Sequence, residues 1–112
     1  MFTEDRLAEF ARAIDAAEAA LDDEDRRGGE GQRPVELDQQ SMGRLSRMDA
    51  LQQQALAQAG QRRRDAMRTR LQAARRRIES AEFGYCTECG DEIAEDRLAF
   101  DPTILRCRDC MG

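Results

Sequence analysis

Apolar positions along the chain fall into two heptad-like runs followed by a sparse tail. In the first run Leu7, Phe10, Ile14, Ala17 and Leu21 recur at alternating spacings of three and four, which puts them on one face of a helix. Thr3 stands where an N-cap is needed. Glu4 and Asp5 occupy the first turn, where the helix dipole favours carboxylates, whereas Asp22 to Asp25 oppose it at the far end. The pattern predicts a helix over about 4–26. Gly28, Gly29, Gly31 and Pro34 then predict a flexible connection over about 27–41.

The second run, about 42–82, is built from Ala, Gln, Leu, Met and Arg without a single Pro, and one long helix is its simplest reading. Its apolar seam reads Leu45, Met48, Ala55 and Ala59, then Met67, Leu71, Ala74, Ile78 and Ala81. The two halves are out of phase near Gly60, which predicts a kink or register shift there. Phe83-Gly84-Tyr85 is expected to end the helix, with Gly84 as its left-handed stop.

Charge changes this picture by pairing the two runs. Residues 4–25 carry a net −7 and residues 61–79 a net +6, so a modest total of −5 hides opposed segments. An acidic and a basic helix joined by a loop predict an antiparallel helical hairpin over 1–83, in which charge sets orientation more than stability. Solvated single helices, and pairing with another chain, remain open alternatives. The arrays Arg62-Arg63-Arg64 and Arg75-Arg76-Arg77 are assigned to the acidic helix, ahead of a partner's surface or a polyphosphate nucleotide.

Composition narrows the function classes. All eighteen basic residues are Arg, acids outnumber them, and a nucleic-acid binder leans the other way. With no His, the chain has no Ser–His or Cys–His nucleophile pair and no His-ligated metal, and no enzyme is expected. No stretch approaches the roughly 18 to 20 apolar residues of a membrane span. Met1-Phe2-Thr3-Glu4-Asp5-Arg6 lacks the basic-then-apolar pattern of a secretion signal, so a reducing cytoplasm is the expected compartment.

In such a compartment the four cysteines call for an explanation other than disulfides. Cys86-Thr87-Glu88-Cys89 and Cys107-Arg108-Asp109-Cys110 form two C-x2-C knuckles seventeen residues apart, the spacing of a tetrahedral four-cysteine zinc site over 84–112. Two intervening residues let one tight turn aim both sulfurs at one ion, and Gly90 eases the chain out of that turn. Two disulfides, a redox dithiol and an iron–sulfur cluster are the competing readings. Four thiolates leave no open position for water, so one structural zinc is expected, supplying most of the order in a segment with few apolar residues. Between the knuckles a small ribbon fits, with Asp101-Pro102 as a turn. Arg97, Arg106 or Arg108 would offset the formal −2 of the site.

Arg77-Ile78, Phe83-Gly84-Tyr85-Cys86, Cys89-Gly90, Ile93, Arg97-Leu98 and Cys107 to Cys110 resemble the zinc-finger signature of the DksA/TraR family of bacterial transcription regulators. The preceding hairpin is also similar to the coiled coil of that family. The resemblance implies a mainly α protein, a coiled coil followed by a four-cysteine finger, that binds RNA polymerase rather than DNA. It implies insertion of the coiled coil through the secondary channel, acidic tip residues near the catalytic centre, and regulation of initiation, commonly with ppGpp. The thirty-six residues from Asp49 to Tyr85 would span about 54 Å as one helix, enough to probe a deep channel.

The family's tip motif, two aspartates followed by an alanine, is matched in part by Asp49-Ala50, with Asp38 as a second candidate. No second Asp stands three residues before Asp49, and no residue separates it from Ala50. The chain stops at Met111-Gly112 without the helix that longer members carry there, so contacts made by that helix are expected to be missing. No residue is assigned to ppGpp. The alternative from another class is a zinc-stabilised coiled-coil adaptor or dimerisation module for another protein, whose mark would be a dimer burying Leu7, Phe10 and Ile14 between chains.

Overall fold

A computed structural model describes residues 2–31 and 44–111, with side chains described over 2–27 and 47–111. Four helices follow in order: α1 over Glu4–Gly31, α2 over Arg44–Glu79, α3 over Glu95–Phe100 and α4 over Arg108–Met111. Among the described residues the only pairing of extended backbone is one antiparallel bridge between Tyr85 and Glu92, so the expected ribbon is reduced to that bridge and two short helices. The architecture is a helical hairpin followed by a four-cysteine finger. By internal packing the chain forms two units, residues 1–19 with 68–112, and residues 20–67.

In the first unit α1 starts as its sequence predicts. The Thr3 hydroxyl accepts from the Arg6 amide at 3.1 Å, and the Leu7 amide donates to the Thr3 carbonyl at 2.9 Å. The predicted face is the buried one: Phe10 and Ile14 are enclosed, while Leu7 and Ala17 are half-buried. Leu71 and Ala74 of α2 are likewise buried, with Ile78 half-buried. Arg75 of α2 ties the two helices together by donating to Asp15 and pairing with Glu18 at 2.9 Å. Phe10 and Ile14 are thus buried from within one chain, and Leu7 is half-buried there.

Helix α2 ends by a different device from the one the sequence predicts. Its last helical residue is Glu79, and the left-handed residue after it is Ala81, at φ 63°. The Glu82 amide reaches back to the Arg77 carbonyl at 2.9 Å and the Ala81 amide to the Ile78 carbonyl at 3.3 Å, the paired bonds of a Schellman stop. Gly84 is also left-handed, at φ 92°, but it serves packing: a Cβ there would stand 2.6 Å from Cε2 of Phe2. Ala81, expected in the apolar seam, is exposed.

In the second unit α1 continues through Gly28 and Gly29 to Gly31, past the expected end near 26, because a helical glycine costs only about 1 kcal/mol relative to alanine and no proline intervenes before Pro34. The rest of the expected loop, residues 32–43, lies outside the described residues. Helix α2 passes through Gly60 with no interruption of its helical hydrogen bonding, so the predicted register shift does not occur. The covered positions there are Ala50, Gln54, Ala57, Ala59, Gly60, Gln61, Arg64 and Met67, so of the predicted seam Ala59 is half-buried, whereas Met48 and Ala55 are exposed. This seam is polar in its middle, which is why a search for apolar residues alone chose the wrong phase. At its centre Arg64 Nε donates to Asp25 Oδ1 at 2.6 Å and Gln61 Nε2 to the same oxygen at 3.0 Å.

Candidate metal centre

Two local turns place the cysteines. After the Schellman stop, Arg77 Nη2 donates to the carbonyls of Glu82 at 3.0 Å and Tyr85 at 2.8 Å, fixing the entry into the first knuckle. The Cys86 amide then donates to the Asp91 carbonyl at 2.8 Å and the Gly90 amide to the Cys86 carbonyl at 3.0 Å, closing a turn around Cys86 and Cys89. Gly90 sits at φ 78°, the left-handed conformation its place after Cys89 predicts. Glu88 donates its amide to Cys86 Sγ at 3.4 Å. The second knuckle is the start of α4, where the Met111 amide reaches the Cys107 carbonyl at 3.0 Å, and the Thr87 amide joins the two knuckles by donating to the Leu105 carbonyl at 2.8 Å.

The four Sγ atoms lie within 4.8 Å of one another, with Cys89 and Cys107 at 3.6 Å. A tetrahedral ion with zinc–sulfur bonds of about 2.3 Å sets its sulfurs about 3.8 Å apart, so the cluster is of the size and chemistry that a four-thiolate zinc site requires. Burial pushes the Cys86 thiol up, but backbone hydrogen bonds around the knuckles, with Cys110, outweigh it and hold the thiol down to about 6. Cys89 is raised: its backbone bond at Asp91 lowers it, and the neighbouring thiols of Cys107 and Cys86 with burial prevail. Cys110 is pushed far above the ordinary thiol range by Cys107, Cys86 and Cys89. Crowded sulfurs that resist carrying charge together are the donor set a divalent cation relieves.

The centre is anchored in the core of its unit. Cys86 belongs to a buried cluster with Phe10, Phe83, Ile93 and Leu98, and Phe2, Leu7, Ile78, Ile104, Cys107 and Cys110 pack against it. Phe2, Phe10 and Phe83 stack as a trio with centroids 5.0 to 6.0 Å apart. Arg6 lies 4.5 Å over the Phe10 ring and donates to Glu95 of α3, hydrogen bonds with Glu95 and Glu9 raising its pKa. Sequence periodicity identified Phe10, but not the role of Phe2, which precedes the helix and becomes visible only through the hollow at Gly84. Arg97, expected to offset the site's charge, donates to the Arg106 carbonyl at 3.3 Å and to Met111 Sδ at 2.8 Å.

The structure thus brings the four predicted cysteines together. Asp49 and Ala50 lie in the other unit, on α2, Asp49 exposed and Ala50 half-buried. Asp38 lies outside the described residues. Of the arginine arrays, Arg64 and Arg75 meet acids of α1 as expected, Arg77 grips carbonyls, and Arg62, Arg63 and Arg76 are exposed.

Residues 81–111 match the family described as the prokaryotic dksA/traR C4-type zinc finger. Over 41 residues the chain is 39% identical to the RNA polymerase-binding transcription factor DksA of Haemophilus influenzae, a stretch covering 37% of this chain and 28% of that protein. The fold is similar to that of transcription factor DksA2 from Pseudomonas aeruginosa, with a TM-score of 0.75 at 19% identity over 96% of this chain and 81% of that one. No described helix is long and apolar enough to cross a membrane.

Proposed function

The chain is a DksA/TraR family protein, and from that premise we propose that it is a non-enzymatic, cytoplasmic regulator that binds bacterial RNA polymerase through the secondary channel and modulates initiation. The observation that carries the reading is the finger: four sulfurs clustered at metal-binding distance within the segment that matches the dksA/traR type. In this reading Cys86, Cys89, Cys107 and Cys110 hold one structural zinc, which fixes the knuckles and takes no part in chemistry. The site's own residues do the rest: Arg77 sets the entry, Gly90 the turn, and Cys86 links the ion to the aromatic core.

Asp49, with Ala50 beside it, is the residue proposed to act on the catalytic centre of the polymerase. Its exposure on α2 supports this, since a carboxylate must be free of protein cover to reach a partner. Asp38 is proposed as a second acid of the tip, and ppGpp as a co-effector. DNA is not proposed as a ligand, because the chain is net acidic and short of stacking aromatics. The test is transcription from a ribosomal promoter by purified bacterial polymerase, with and without ppGpp, comparing the zinc-loaded protein with Asp49→Asn and Asp38→Asn. The expected result is a wild-type effect on initiation that Asp49→Asn abolishes while polymerase binding is retained. An unchanged promoter response at all protein concentrations contradicts it.

A further inference from the structure

Within residues 20–67, α2 turns inward a face that apolar patterning does not choose. At about 100° per residue, Ala50, Gln54, Ala57, Gln61 and Arg64 form one stripe spaced four and three apart, and all five are half-buried. Met48, Leu51 and Ala55 form a second stripe roughly 130° round the helix, and all three are exposed, Met48 and Leu51 by more than half. On α1 the half-buried positions of this unit are Leu21 and Asp25. Burial of apolar area alone would set Met48, Leu51 and Ala55 against Leu21. Something other than apolar area therefore selects the inward face.

The polar contact at the seam has the required directionality. Asp25 Oδ1 accepts from Arg64 Nε at 2.6 Å and from Gln61 Nε2 at 3.0 Å, and Arg64 Nη2 donates to Gln61 Oε1 at 3.2 Å, so three side chains close a ring. Gln61 Nε2 also donates to Asp65 Oδ1 at 3.0 Å. The Arg64 and Asp25 side chains are only 15% and 29% exposed, whereas Arg26 and Arg27 pair with Asp23 at 76% and 72% exposure. A shielded polar contact in a helical seam costs stability relative to apolar packing, and it specifies orientation in return, because any other facing leaves covered donors and acceptors unpaired. Its small neighbours Ala57 and Gly60 offer little shape to do the same.

We propose that Asp25, Gln61 and Arg64 are positioning residues, whose ring fixes the face of α2 that meets α1 and so the direction in which Asp49 is presented. Asp49 adjoins Ala50 of the inward stripe and stands about 100° from it round the helix. Turning the stripe of Met48 and Leu51 inward would carry the Asp49 carboxylate to the opposite flank of the hairpin. The role of Asp49 rests on the polymerase reading above, whereas the choice of face is a property of the free chain.

The test is a charge swap in the zinc-loaded full chain, comparing wild type, Asp25→Arg, Arg64→Asp and the double variant. Hydroxyl-radical footprinting by mass spectrometry reads the half-buried Leu21 and Met67 beside the exposed Met48 and Leu51, and promoter transcription with polymerase binding is measured in parallel. Each single variant opposes like charges and should raise modification of Leu21 and Met67 about threefold or more, and the double variant should return both to the wild-type level. The single variants should lose the promoter effect while binding polymerase within about threefold of wild type, and the double variant should regain it. Single variants with a wild-type footprint overturn the proposal, as does a double variant that restores neither footprint nor promoter effect. A disturbed footprint with an undiminished promoter effect overturns the positioning of Asp49. Wild type without any promoter effect removes the polymerase reading instead, and the footprint then decides the choice of face by itself.

Discussion

Ala81 carries the backbone penalty that glycine usually removes. It holds φ 63° at the end of α2 with its side chain exposed, so it gains nothing from packing in return. Ala81→Gly should therefore raise stability by about 1 kcal/mol, read as a higher urea midpoint at unchanged slope. Gly84→Ala should do the opposite, losing about 1–3 kcal/mol, because its left-handed φ is joined by a clash with the Phe2 ring. The sequence placed a stop in this region but chose Gly84 for it, since residue type reveals where glycine is available and not which residue the hydrogen bonds select. The four cysteines were legible at this scale because each pair is set by a local turn.

At the scale of elements, α1 was readable from its start to its apolar face, and the reason is that capping and burial there follow local rules. The C-terminal half of α2 was readable on the same ground, through Leu71, Ala74 and Ile78. Its N-terminal half was largely misphased: Met48 and Ala55 are exposed while Gln54, Gln61 and Arg64 are among the covered positions, and polar residues in a seam are invisible to a search for apolar period. Gly60 marks no break there. A Cβ on it would meet only Arg64 Nη1 at 3.2 Å and Arg63 Nη2 at 3.7 Å, the flexible ends of two side chains. Gly60→Ala should therefore stabilise α2 by up to about 1 kcal/mol, measured by thermal unfolding, with circular dichroism unchanged below the transition. A loss of stability would mean that the Arg64–Asp25 pair depends on the space glycine leaves.

At the scale of the whole molecule the metal centre is not an appendage, because Cys86 shares its core with Phe10 of α1. Chelation should abolish hydrogen-exchange protection at Cys86, Gly90 and Ile93, and should also weaken it in the first turns of α1. Protection lost only within the knuckles would show that the core holds without the ion. Metal uptake should also depend on pH with a definite sign. Cys86, held down to about 6, is already a thiolate at neutral pH, whereas Cys89 and Cys110 are raised and must each give up a proton to bind. Apparent zinc affinity should thus rise with pH from about 6 upward, and calorimetry in buffers of different ionisation enthalpy should register proton release. What a single chain's sequence could indicate about the partner came through the finger's resemblance, since an interface is shaped by a surface that the sequence does not contain. Equilibrium binding of the zinc-loaded protein to purified bacterial core RNA polymerase therefore tests the account most directly. Saturable, one-to-one binding that is lost on chelation is the predicted result, and no binding by the folded, metal-loaded chain would contradict it.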